Sequence, residues 1–425
     1  MTRVFISVAA LLIGMGLMSV GHGLLGIILP LRLAEAGAGS LVVGTVMAGF
    51  FCGLAFGVYG GRFLISRVGH IRAFTAFMAV FAASILSHPF YLDGVFWFFL
   101  RVVQGICLAG LYLCTESWLN ERATKSQRGE IMSLYMVTLY VGIIIGQLFV
   151  NVPDPSGFGL YALTAIIVSL AAVPLAATRT VPPPLPEFEP FSLTELYEIS
   201  PLGIGGAAVA GVILGAFYGM APFFAVKIGM DTAAASQFMA AAIFGGLLLQ
   251  WPIGKLSDRY DRRTVIIVLS FVIGAISLCV IAMAMWSASG LVFIAPLFGG
   301  AVFTLYPLCV AHTNDHIEKS ELVPASAGLI LSYGIGAAAG PVAAAGVMNI
   351  TGPHGLFGFI AAIGLALGFY GYWRSTQRAA PATEEQDSFQ PVTRTTPLAS
   401  ELDPRGDPHT EFYPPSADES EKNIN

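Results

Sequence analysis

Residues 233–286 read AAASQFMAAAIFGGLLLQWPIGKLSDRYDRRTVIIVLSFVIGAISLCVIAMAMW. Two apolar runs, 233–254 and 264–286, flank a charged turn that holds Lys255, Asp258, Arg259, Asp261, Arg262 and Arg263. A helix needs about 20 apolar residues to cross the hydrocarbon core of a bilayer, whereas a strand of a membrane barrel needs only about 9–11. Both runs fit the helix and overshoot the strand. The charges fall where headgroups and water begin. The stretch is therefore a transmembrane helical hairpin with its turn at one membrane face.

The same pattern extends in both directions. Apolar runs fall at about 5–31, 41–65, 73–91, 94–116, 130–150 and 158–178, then at about 202–226, 233–254, 264–286, 289–312, 324–348 and 354–374, which makes twelve. Composition agrees: 56% of the 425 residues are apolar and 11% are charged, against roughly a quarter charged in a soluble domain. An ordinary soluble globular protein is excluded. The expected fold is an all-α membrane protein with twelve transmembrane helices in two six-helix bundles.

The expected organisation is an N-terminal bundle at 1–178, a cytoplasmic linker at 179–200, a C-terminal bundle at 201–374 and a tail at 375–425. The linker contains Pro182, Pro183, Pro184 and Pro186 with Glu187 and Glu189. Such a stretch can neither continue a helix nor sit in hydrocarbon. The tail is rich in Pro, Ser, Thr and acids, so it reads as disordered and solvated. After Thr376 there are ten acids and four bases, so the net charge of −5 belongs to the tail. The body is nearly neutral, and nothing points to nucleic acid. The run after Arg3 is too long for a cleaved leader and reads as the first span. Cys52, Cys107, Cys114, Cys279 and Cys309 all lie in apolar runs and read as packing residues.

Lys and Arg set the orientation. With the N-terminus inside, fifteen near-membrane bases are cytoplasmic: Arg3, Arg62, Arg67, Arg72, Arg122, Lys125, Arg128, Arg179, Lys255, Arg259, Arg262, Arg263, Lys319, Arg374 and Arg378. Only Arg32 and Lys227 lie outside. The positive-inside rule then places both termini in the cytoplasm.

The two halves repeat. At an offset of 192, Gly23 meets Gly215, Pro30 meets Pro222, Gly37 meets Gly229, Gly53 meets Gly245 and Arg67 meets Arg259. At 194, Gly105 meets Gly299, Tyr112 meets Tyr306, Asn120 meets Asn314, Glu121 meets Asp315, Gly142 meets Gly336 and Gly146 meets Gly340. A parallel duplication of this kind places two bundles about an axis along the membrane normal, with a cavity between them.

The turn at Gly254, Leu256, Ser257, Asp258, Arg259, Arg262 and Arg263 resembles the G-x-L-[AS]-D-R-x-G-R-[RK] signature of the major facilitator superfamily, with Asp261 in place of the second glycine. The first-half copy keeps Leu64, Arg67 and Gly69 but has Arg62 for the first glycine and Ser66 for the acid. The fourth span begins Arg101-Val102-Val103-Gln104-Gly105, which resembles the family's R-x-x-Q-G. The fifth span has Gly142-x-x-x-Gly146-Gln147, where the family's antiporters carry G-x-x-x-G-P; the eleventh keeps Gly336-x-x-x-Gly340-Pro341. The likeness covers residues 1 to about 374, and the sequence as a whole resembles a bacterial branch of the family.

That resemblance implies alternating access and a set of candidate sites. Asp258, Arg259, Arg262 and Arg263 would latch the cytoplasmic gate, with Glu116 paired to Arg67 or Arg72. Arg101 is expensive inside an apolar helix, so it either snorkels outward or faces the interior and shapes the cavity. Gln104, Tyr112, Tyr140, Gln147, Tyr218, Gln250, Tyr306 and Tyr333 are candidate substrate contacts, or else packing between helices. His22 is the candidate for proton coupling, since an unperturbed imidazole changes charge near neutral pH, or else it is a histidine satisfied by a backbone carbonyl. His312 and His316 share a helix face, but Thr313 stands where a zinc protease carries glutamate, so no metal and no cofactor is expected.

The expected function is secondary active or facilitative transport of a small organic solute, by efflux or exchange, with an anion favoured by Arg101. The alternatives are an uptake permease for a sugar or related metabolite, and a receptor or scaffold that does not transport. No nucleophile–base pattern suggests an enzyme. The expected setting is the bacterial inner membrane, as a monomer, with protons as a possible coupling ion.

Overall fold

The computed structural model describes residues 2–123, 127–152, 157–177, 191–318, 321–377, 386 and 388–402. The linker prolines and the bases Lys125, Arg179, Lys319 and Arg378 lie outside the described residues. Among the described residues, twelve helical segments are long and apolar enough to cross a membrane. The first half contains α1 (Thr2–Glu35), α2 (Ser40–Val68), α3 (His70–Ser87), α4 (Gly94–Arg122), α5 (Arg128–Phe149) and α6 (Gly159–Ala171), which a break before Pro174 separates from the short α7 (Val173–Ala176). After α8 (Leu193–Ile199), the second half contains α9 (Pro201–Lys227), α10 (Thr232–Ser257), α11 (Arg262–Trp286), α12 (Leu291–Asn314), α13 (Leu322–Thr351) and α14 (Gly355–Ser375). Helices outrun the apolar runs because polar end residues such as Arg122 and Arg262 stay helical beyond the apolar stretch. We call the end bearing α8 the linker face, and the opposite end the far face.

Local chemistry explains the turns. Asp93 and Asp231 cap α4 and α10 by accepting from the amides of Phe96 at 2.8 Å and Ala234 at 2.7 Å. Gly37 and Gly229 follow α1 and α9 at φ 77° and 87°, a backbone region costly for any side chain with a Cβ. They are repeat mates, so the duplication extends to the turns. Gly69 adopts φ 83°, whereas Asp261 at the matching position has φ −51° and caps α11 by accepting from the Arg263 amide at 3.0 Å. The glycine of the signature is thus replaced by a cap.

The repeat is also built into the packing. A Cβ on Gly53 would strike the carbonyl of Val102, and one on Gly245 would strike that of Pro296. Gly105 lies against Phe50 as Gly299 lies against Ala242. Gly146 lies against Val20 as Gly340 lies against Val212, and Gly23 against Ile143 as Gly215 against Ala337. Every struck carbonyl in one half is the repeat mate of its partner in the other. The pairs α2–α4 and α10–α12 therefore share one geometry, and α1–α5 and α9–α13 share another. Small residues permit this closeness where helices have no hydrophobic drive to associate.

The bundles meet at the far face. Ser40 Oγ donates to the Ala345 carbonyl at 3.0 Å, and Asn151 Nδ2 to Ser236 Oγ at 2.9 Å. Gly44 lies against Pro341 and Ala345, leaving no room for a side chain. At the linker face a different element fills the gap between them: residues 388–402.

That placement corrects the reading of the tail as wholly solvated. Leu398 and Ala399 are 2% exposed and Thr396 is fully buried. Between Glu385 and Glu401, the stretch Ser388–Ser400 carries one charge, Arg394, and enough apolar groups to pack. The linker holds a second departure. Helix α8 begins with a reciprocal capping box, Ser192 with Glu195, and buries Leu196.

Candidate functional site

A cavity of about 140 Å³ remains between the halves. Most of its wall comes from the first half: His22, Gly23 and Gly26 of α1, Met47, Phe50, Phe51 and Leu54 of α2, Arg101, Leu108 and Tyr112 of α4, and Met136, Leu139, Tyr140, Ile143 and Gln147 of α5. The second half adds Tyr218, Gly219 and Tyr333, and the tail adds Thr393, Arg394 and Thr395.

Arg101 faces the interior rather than snorkelling; it is 2% exposed. Its Nη1 donates to Gln104 Oε1 at 3.0 Å, Gln104 Nε2 donates to Ser84 Oγ at 3.1 Å, and the guanidinium lies 4.5 Å from the Phe50 ring centre. His22 stacks on the same ring at 4.9 Å. Arg101 Nε, His22 Nδ1 and Gln147 Oε1 are buried without a hydrogen-bond partner. Such groups cost about 1–3 kcal/mol each when left unmade. Two donors or acceptors and a carbonyl oxygen on the cavity wall are what a polar solute would satisfy.

The cavity candidates divide. Arg101, Tyr112, Tyr140, Gln147, Tyr218 and Tyr333 line it, as does His22. Gln104 stands behind Arg101 as its support. Tyr306 packs edge-on against Tyr333 at 5.1 Å, and Gln250 is buried away from the wall.

The gate candidates also divide. Arg262 is fully buried, with Nη1 between the two Asp315 oxygens at 2.5 and 2.6 Å and the Ala311 carbonyl at 3.2 Å. Asp258 is a weaker partner at 3.4 Å. Arg263 pairs with Asp261 at 3.6 Å, and Arg259 is exposed. The repeat mates of Asp258, Arg262 and Asp315 are Ser66, His70 and Glu121, so this charge cluster exists in one half only. His70 packs its ring near Trp118 at 5.5 Å instead.

Glu116 is not held as expected. Arg67 and Arg72 stand exposed, Arg67 over the Phe63 ring at 4.5 Å. The fully buried Glu116 carboxylate accepts from Tyr135 Oη at 3.1 Å and from the hydroxyls of Thr395 and Thr396. Asp258 likewise accepts from the Phe389 amide at 2.6 Å. Two carboxylates read as gate residues thus both hold the tail. Asn120 Nδ2 adds a bond to the Leu398 carbonyl at 2.7 Å. Between these anchors Arg394 reaches inward, its Nη2 donating to Tyr140 Oη at 2.5 Å. His312 and His316 lie 4.9 Å apart at the end of α12, with the His316 ring nitrogen bonded to the His312 carbonyl at 2.8 Å.

Twelve membrane-length helices among the described residues, two matching halves and a polar-walled cavity between them define a polytopic membrane protein built around a solute-sized chamber. The chain belongs to the Major Facilitator Superfamily, whose family model matches residues 11–251 and 203–404. It is 31% identical over 360 residues to the "Uncharacterized MFS-type transporter YcaD" of Salmonella newport (strain SL254), covering 84% of this chain and 92% of that protein. The protein of that name from Salmonella typhi matches equally, at 31% over 360 residues with the same shares. Solved structures share the fold. A mutant of the nucleoside transporter NupG superposes with a TM-score of 0.73 at 11% identity, over 86% of this chain and 99% of that one. The D-xylose-proton symporter superposes at 0.66 with 14% identity, over 90% and 99%. A bacterial homologue of the human lysosomal transporter Spinster, described as inward-facing and occupied, superposes at 0.68 with 14% identity, over 90% and 98%.

Proposed function

We propose that this chain is a secondary transporter that moves a small organic solute across the bacterial inner membrane by alternating access, as an exporter or exchanger. The linker face is cytoplasmic in this reading, supported by the excess of Lys and Arg there. The observation that carries the proposal is the cavity itself. It lies between two bundles with matching helix contacts, is closed at the far face by Ser40 of α2 on α13 and by Asn151, just past α5, on α10, and has four buried polar atoms without hydrogen bonds on its wall, on His22, Arg101, Gln147 and Arg394. A chamber sealed at one face by the bundles themselves and at the other only by the tail segment is consistent with one end state of a rocking carrier. Among the described residues lining it, His22 is the side chain whose ordinary titration range is nearest neutrality, so proton coupling would run through His22. Asp258 and Glu116 act on the gate through the tail segment they hold.

Flux tests this. Purified protein in liposomes should exchange a labelled solute identified by thermal stabilisation, because a ligand that binds the folded state raises its apparent stability. Arg101→Ala should abolish that flux. A solute that binds and is never moved would overturn the transporter reading in favour of a receptor.

A further inference from the structure

Arg394 is the single charge on the tail segment that enters the cavity, and its surroundings are aromatic. The guanidinium lies 5.1 Å from the Phe303 ring centre and 5.9 Å from that of Tyr333. Tyr140 stands edge-on to Phe303 at 5.8 Å and Tyr218 at 5.7 Å. Nη2 is bonded to Tyr140, whereas Nη1 is buried without a hydrogen bond. Aromatic faces are electron-rich, and rings arranged around a cation bind it most strongly when water is excluded. The rings come from both halves, Tyr140 from α5 and Tyr218, Phe303 and Tyr333 from α9, α12 and α13. A site assembled from both bundles changes shape whenever they rock, as a carrier's substrate site must. One and two residues further along the tail, Thr395 and Thr396 hold the Glu116 carboxylate, so a buried acid lies beside the cage.

We propose that the Tyr140–Tyr218–Phe303–Tyr333 cage is the cation subsite of the transported solute, and that residues 393–396 occupy it in competition with a solute bearing a guanidinium or small ammonium head. The inference rests on the transporter reading and adds the substrate class. It replaces the anion favoured by Arg101. That guanidinium is turned onto Phe50 and Gln104, and it lies eleven residues, about 16 Å, along α4 from Tyr112. Arg101 Nε is left to bind an acceptor at the solute's other end. The tail is a suitable competitor because its anchors lie outside the cage: Phe389 against Gly254 with its amide on Asp258, and the Leu398 carbonyl on Asn120. A tethered segment has an effective concentration in the millimolar range, so it would exclude weak ligands and yield to strong or abundant ones.

The test uses n-butylguanidinium, with neutral n-butylurea and anionic pentanoate as matched controls, titrated by calorimetry into the full chain. Arg394→Ala should bind n-butylguanidinium at least tenfold more tightly than wild type, and neither control should bind comparably. Adding Tyr140→Phe to Arg394→Ala should weaken the cation severalfold while leaving the melting temperature near that of the single variant. The proposal is overturned if Arg394→Ala, folded and monodisperse, gains no affinity for the cation, or if pentanoate binds as well. Binding that follows the proposal without flux in liposomes would sink the transporter reading and leave the cage. Flux of another solute, indifferent to n-butylguanidinium, would sink the cage and leave the transporter.

Discussion

The charged turn that identifies the fold contains two aspartate contacts of unequal weight, and the structure permits their costs to be separated. Arg262 has no exposed side-chain surface, and the Asp315 side chain is 2% exposed, with the shortest contact at 2.5 Å. Removing one partner of a buried pair leaves an uncompensated buried charge and costs about 3–5 kcal/mol. Asp258 is 23% exposed and 3.4 Å from the same guanidinium. A pair of that exposure and length contributes about 0–1 kcal/mol. Asp315→Ala should therefore lower the folding equilibrium by roughly two to three and a half powers of ten, and Asp258→Asn by less than about one. The assay is unfolding of the purified variants in mixed micelles. Hydrogen exchange at the Phe389 amide, which Asp258 holds, supplies the second readout. Asp258→Asn should leave global stability near wild type and speed exchange at Phe389. An Asp258→Asn protein as unstable as Asp315→Ala would refute the division between a structural pair and a tail anchor.

Other outcomes follow from the same geometry. Gly299→Ala should destabilise the protein by about 1–3 kcal/mol, because its Cβ would meet the Ala242 carbonyl. Gly334→Ala, with open space around it, should be neutral or slightly stabilising, and thermal melts distinguish the two. Glu116→Gln should weaken the hold on Thr395 and Thr396, seen as faster proteolysis of the tail at unchanged melting temperature. Glu195 is held below the ordinary glutamate range by the Ser192 amide, and then by the Ser192 hydroxyl. A depressed carboxyl stabilises above its unfolded value and loses that contribution as pH falls through the folded one. Exchange at the Leu196 amide should therefore accelerate on acidification below the ordinary glutamate range and be pH-flat in this respect in Glu195→Gln.

Much of this architecture is legible before any coordinates. Apolar run lengths give the helices, and the glycine offsets of 192 and 194 give pairs that the packing reproduces carbonyl by carbonyl. These features are local or periodic, so a linear text carries them. The cavity is half legible. Tyr112, Tyr140, Gln147, Tyr218 and Tyr333 could be named as polar residues on the right helices, but the rotation of each helix decides which ones line the chamber. Gln104, Gln250 and Tyr306 point elsewhere for that reason. Phe50 and Phe303 are not legible because apolar rings inside apolar helices carry no signal in the sequence; their importance comes from the cations that lie over them. The tail was least legible. Its overall composition is that of a solvated chain, and the island from Ser388 to Ser400 stands out only when charge is counted residue by residue. Nothing in the text says that Glu116 meets Thr395, because 279 residues separate them.

The central claim is that the two bundles rock about a chamber whose far face is closed in this state. Spin labels at the exposed positions Leu41 of α2 and Ile350 of α13, in a chain with exposed Cys279 replaced by serine, measure that face directly. The account predicts two distance populations in lipid. The short one should dominate in wild type, and the long one should grow when Arg394→Ala frees the chamber. A single narrow distance, unmoved by Arg394→Ala and by n-butylguanidinium, would contradict it.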